Sequence, residues 1–117
     1  MNATLDVLQA DPDIDVIFAA CDGGAQGAVA ALEQIGRDGE ILICTIDGRK
    51  SVLEWIKNGD KGVVCDAFND PRQMGKWALY MAALQASGVS TPSTYYVMND
   101  LVTTENVDTY YDANSTY

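Results

Sequence analysis

Three dipeptides in this 117-residue chain, Cys21-Asp22, Asp47-Gly48 and Asn69-Asp70, join polar chemistry to the ends of apolar runs. A nucleophile is the first chemistry to weigh. Cys21 lies in "FAACDGGAQG", at a strand-to-helix turn where nucleophiles occur. A thiol needs a base or a cation to become a thiolate. The chain has no histidine, and the neighbour of Cys21 is an acid. Catalysis by Cys21 therefore has no partner. A phosphate cradle is the second possibility, because Gly23 and Gly24 precede a helix whose N–H groups can hold an anion. The spacing is neither G-x-G-x-x-G nor a P-loop, and no Lys-Ser/Thr pair follows. Asp22 at the entrance would repel a phosphate and reads instead as the helix cap, with the glycines permitting the turn.

Two chemistries survive. Asp22 and Asp47 can act as an acid–base pair or hold Mg²⁺, as carboxylates clustered at a sheet edge do. A receiver-like site of that kind also wants a lysine at a later strand end, and Lys50 and Lys61 lie elsewhere. The other chemistry is recognition of a neutral polyol. A carboxylate accepts charge-assisted hydrogen bonds from adjacent hydroxyls, and an amide both donates and accepts. A rim of Asp and Asn without a built-in cation suits sugars better than phosphates or acids, and needs no cofactor.

The elements that must position these residues follow from the hydrophobic pattern. "VIFAA" (16–20), "ILICTI" (41–46) and "KGVVCDAF" (61–68) are continuously apolar runs, as in strands covered on both faces. Between them lie helical patterns: Ala25, Ala28, Val29, Leu32 and Ile35 before a stop at Gly36, then "VLEWIKNG" closing at Gly59. Helix also fits Ala3 to Ala10, and a longer helix opens at Pro71 and ends at Gly88. Along it Met74, Trp77, Ala78, Met81 and Leu84 recur on one face and read as core, as does Trp55. "STYYVMNDLV" (93–102) reads as a weaker last strand, and "TTENVDTYY" as a short terminal helix capped by Thr103 or Thr104. This α-β-α-β-α-β-α-β-α order predicts a three-layer α/β fold around a mostly parallel, doubly wound sheet. Ligands bind outside the carboxyl ends of such strands, so the three dipeptides meet on one rim.

Composition narrows the partners. With 17 acids against 7 bases the net charge is −10, which argues against nucleic acid and anionic membranes. No stretch approaches the roughly 20 apolar residues of a membrane span. The start, "MNATLDVLQADPD", has neither a basic segment nor a hydrophobic core, so no signal peptide is expected. The three cysteines read as buried thiols packing as small hydrophobes. At 48% hydrophobic residues, the chain can build one small core and is read as a single unit spanning 1–117.

Four stretches in order, "PDIDVIFAACDGGAQGAVAALEQIGR", "ILICTIDG", "IKNGDKGVVCDAFNDPRQMGKWA" and "LVTTENVDTY", resemble the carboxy-terminal lobe of ribose/galactose-type (type I) periplasmic sugar-binding proteins of bacterial ABC transporters. LacI-type repressor cores share that fold. The resemblance implies that Asp47, in "IDG", and Asn69, opening "NDP", bind sugar hydroxyls. It implies that Asp22 organises the loop beside a binding position, which is an asparagine in the family and Cys21 here. A thiol replaces an amide poorly, so one sugar contact is lost or altered. The implied function is binding of a simple sugar or polyol for an ABC permease, by a periplasmic or lipid-anchored parent. The alternatives are an effector-sensing core of a LacI-like regulator and the Mg²⁺-dependent enzyme or receiver-like domain. Against that family the chain reads as a half-site fragment without the amino-terminal lobe. Strands and helices left bare by the missing pieces predict self-association, including exchange of elements between copies.

Overall fold

Short β-branched runs between amphipathic segments become strands here because helices cover them from one side. The computed structural model describes residues 2–116. Its elements are α1 (Asn2–Ala10), β1 (Val16–Phe18), α2 (Asp22–Gln34), β2 (Leu42–Asp47), α3 (Lys50–Asn58), β3 (Val63–Phe68), α4 (Pro71–Ala86), β4 (Asp100–Val102) and a 3-10 turn, Val107–Thr109. The sheet runs β1-β2-β3-β4. The first three strands are parallel, and β4 pairs antiparallel with β3. The α/β class and the mostly parallel sheet are those the alternation predicts. Gly59 ends α3 in the left-handed region at φ 65°, where its N–H reaches the carbonyl of Ile56. No helix among the described residues is long and apolar enough to cross a membrane.

The layering differs from the expectation. Strand order never reverses, so two right-handed crossovers in the same direction put α2 and α3 on one face. The core sits there: Leu8 of α1, Leu32 of α2 and Ile56 of α3 pack with Ile43, Val63 and Val102 of the sheet. The opposite face is bare. Val16 is 53%, Phe18 68%, Leu42 44% and Leu101 61% exposed. These four share one side of the pleat by the strand registers, with Cys44 and Cys65 between them.

The helix that a third layer would use is α4, and it stands away from the body. None of its residues is buried, so Met74, Trp77, Ala78, Met81 and Leu84 are not core, contrary to the periodicity. α4 leads to an antiparallel strand rather than a parallel one, so no crossover forces it back across the sheet. Asp70 caps it by accepting the Arg72 N–H at 2.9 Å, and Pro71 sets its first turn. The segment after it doubles back along the helix. Trp77 stacks on Tyr95 with ring centroids 4.8 Å apart, and Gln85 donates to Thr91 Oγ1 at 2.8 Å. That packing takes most of "STYYVMNDLV" out of the sheet, leaving Asp100–Val102 as strand. The radius of gyration, 17.6 Å, exceeds the roughly 13 Å of a compact chain of this length.

The terminal helix is a single 3-10 turn, held by Asn106 Oδ1 accepting the Thr103 N–H at 2.8 Å. Cys21 is exposed, while Cys44 and Cys65 are half-buried on the bare face. Burial, with Cys44 beside it, pushes the Cys65 thiol up to about 12, which keeps it an inert S–H. Trp55 does pack against the core, as its spacing predicts.

Candidate functional site

The three loops after β1, β2 and β3 meet at one edge of the sheet, tied together through Asp47. Its carboxylate accepts the Asp22 N–H at 3.4 Å, reaching toward the first loop. Its backbone carbonyl accepts the Asn69 N–H at 3.3 Å, reaching toward the third. Asp47 adopts φ 135°, a region that favours glycine, and holding a side chain there costs on the order of 1–3 kcal/mol. Gly48 follows at φ 84°, and a Cβ on it would stand 2.3 Å from the Phe68 ring. The turn is thus built by a strained aspartate and an obligatory glycine, both fixed by the strands on either side.

Beneath the rim lie two fully buried carboxylates, Asp22 and Asp66. Asp22 accepts the Arg49 N–H at 2.6 Å and the Thr45 hydroxyl at 3.0 Å. Asp66 accepts the Gly48 N–H at 3.0 Å through Oδ2, while its Oδ1 has no hydrogen-bond partner. Burial, and after it the nearby Asp22 charge, push Asp66 up to about 7; burial also raises Asp22. Two carboxylates in one dry site do not both ionise cheaply. Asp66 therefore holds its proton to a higher pH than an exposed carboxyl does. The pair therefore acts as a hydrogen-bonding anchor for Gly48 and Arg49, holding the turn from below.

The structure sorts the expected residues. Asp47 and Asn69 are half-buried at the edge, Cys21 is exposed beside them, and Asp22 is wholly covered. Asp22 does not cap α2: the N-cap is Cys21, which makes no side-chain capping bond. Nor does Asp22 offer an oxygen to a ligand, since both are occupied within the protein. The rim also carries a cation that sequence reasoning left out. Arg72 Nε lies 3.4 Å from Asp70 Oδ1, next to Asn69. Asp66 was missed as well, because one acid inside an apolar strand run reads as sequence noise until the turn above it is known. Beside the rim, a cavity of about 390 Å³ opens between Gly48, Phe68, Asp70 and Tyr110. Among the described residues, no three acidic, cysteine or histidine side chains are grouped to hold a metal ion. The carboxylate-plus-Mg²⁺ arrangement is thus not assembled: Asp22 and Asp66 are spent on the backbone, leaving Asp47 open.

The family described as "Periplasmic binding protein domain" matches residues 1–90. The ribose import binding protein RbsB of Bacillus subtilis is 38% identical over 72 residues, which is 62% of this chain and 22% of that protein. Among solved structures, an ABC transporter periplasmic solute binding protein from Actinobacillus succinogenes with bound D-allose is 34% identical, with a TM-score of 0.85 over 93% of this chain and 37% of its own. An ABC transporter solute binding protein from Bacillus halodurans with bound myo-inositol is 28% identical, with a TM-score of 0.80 over 93% of this chain and 37% of its own. A third, from Mycobacterium smegmatis with bound glycerol, is 32% identical at a TM-score of 0.83 over 92% and 37%. This chain spans less than a quarter of the curated relative and just over a third of the solved ones.

Proposed function

The chain belongs to the periplasmic binding protein family, and from that premise we propose that its rim binds a neutral monosaccharide or polyol as part of a solute-binding protein serving an ABC permease outside the cytoplasm. The observation that carries this reading is Asp47, strained at the sheet edge with its carboxylate half-open and its backbone tying the loops together. A carboxylate so placed accepts two adjacent hydroxyls, and the Asn69 amide donates to one oxygen while accepting from another. Such a site discriminates between epimers, because a hydroxyl moved to the other face of the ring leaves a polar group unpaired. Asp70 Oδ1 lies 3.4 Å from Arg72 Nε and offsets that charge at the rim.

Relatives crystallised with D-allose, allitol, glycerol and myo-inositol support this ligand class. They share hydroxyl-rich, uncharged chemistry rather than one ring size. At Cys21 a thiol offers only weak hydrogen bonding, so the sugar position facing it is recognised by shape more than by polarity. The role is binding, with no bond made or broken. A single wall of such a site holds a monosaccharide with an affinity on the order of millimolar. Saturation-transfer NMR reads that range. Transfer is expected to ribose, allose or myo-inositol, reduced at least fivefold in Asp47→Ala. No transfer to any neutral sugar, or transfer unchanged by Asp47→Ala, overturns the proposal.

A further inference from the structure

Residues 71–99, α4 with its returning segment, form an arm that leaves the body at Asp70 and re-enters it at Asp100. The arm's helix buries nothing, and one side of it is apolar, with Met74 43% and Tyr80 54% exposed. The returning segment adds Tyr96 and Met98, which are 82% and 84% exposed. The body presents the reciprocal deficit, the bare sheet face around Phe18, Leu42 and Leu101. A parallel sheet is stable when both faces are covered, and apolar patches this large on a lone chain mark contact surfaces.

From these two unpartnered surfaces we infer that a second copy of this chain covers the sheet face with its arm, in a reciprocal, two-fold exchanged dimer. Charge favours that occupant. The arm holds Arg72 and Lys76 and no acid, a charge of +2, so the rest of the chain carries −12 of the net −10. Two bodies alone repel, and each arm brings positive charge to its partner's body. The roots of the arm favour it too. Asp70 and Pro71 fix the exit of α4, and β4 is pinned antiparallel on β3. Both fastenings hold the arm away from its own sheet. Area is sufficient: an aromatic side chain covers about 150–250 Å², so two arms on two faces bury on the order of 2,000 Å², the size of a permanent interface. Because the arm springs from Asn69-Asp70, the partner copy steadies one side of the rim.

The test is the mass of the chain in solution at tens of micromolar, by light scattering after size exclusion. The expected result is a dimer. Phe18→Asp, on the face, and Met81→Asp, on the arm, should each give monomer. Mixing the two variants should restore a dimer, since the mixture retains one intact arm and one intact face that match. A monomeric wild-type chain overturns the inference. So does a variant that stays dimeric, which points to arm-on-arm or face-on-face packing, and so does a mixture of monomeric variants that stays monomeric. A second measurement does not depend on the variants' folding. In a Cys21→Ser, Met81→Cys chain, mild oxidation should link position 81 to Cys44 of another copy, visible as a covalent dimer on a non-reducing gel. Its absence in a dimeric sample counts against the exchange.

Discussion

Asp66 and Asp22 are two carboxylates in a space that supports one charge. The sign of their effect on stability follows from the direction of the shift. Asp66 lies near 7 in the folded protein, well above its ordinary 3.8. Its contribution is full below pH 4, where it is protonated in both states. As pH rises toward 7 the unfolded chain releases the proton while the folded one keeps it, so stability falls, by an amount on the order of a few kcal/mol, and levels off above 7. Asp66→Asn keeps an acceptor for the Gly48 N–H and a donor for Asp22. It is expected to raise stability at pH 8 and to flatten the decline between about pH 4 and 7, read as denaturation midpoints. A variant whose pH profile parallels the wild type would show that another group carries the dependence. At this scale the sequence exposes Asp47 and Asn69, because each stands at the end of an apolar run. It hides Asp66, whose role depends on a turn contributed by a different strand.

Elements built on local pairing were legible; elements whose place depends on distant surfaces were not. β1 and β3 fall within the apolar runs that predict them, β2 (Leu42–Asp47) runs one residue past its own, and α3 ends where Gly59 supplies a left-handed residue. The periodicity of α4 correctly gives a helix, but periodicity says only that one side is apolar. It does not say which surface, in which copy, covers that side. The layer count failed for a related reason: crossover direction requires the strand order, and no local pattern encodes it. The β2–α3 turn is the element most sensitive to a single atom. Gly48→Ala adds a Cβ against the Phe68 ring and forces a non-glycine residue to φ 84°. The expected loss is about 2–4 kcal/mol, measured by urea unfolding, with the sugar response of the rim lost in step. A loss below about 0.5 kcal/mol would mean that the ring moves aside freely.

The whole molecule is one sheet with a helical layer on a single face, a rim of loops at its carboxyl edge, and an arm reaching outward. That shape reconciles two features that look separate. The rim lies at the carboxyl edge of the sheet, and the bare face and the arm are the two apolar surfaces from which the exchanged dimer is inferred. The −10 charge belongs to the same picture, since it resides on the body and spares the arm. In the proposed function the rim, rather than the neighbouring cavity, receives a neutral sugar. The measurement that tests it most directly is amide chemical-shift mapping of the isotope-labelled chain titrated with ribose or myo-inositol. Saturable shifts centred on Cys21, Asp47, Gly48 and Asn69, absent in Asp47→Ala, are expected. Shifts confined to Tyr110 and Asp112 beside the cavity, or none at all, would contradict it.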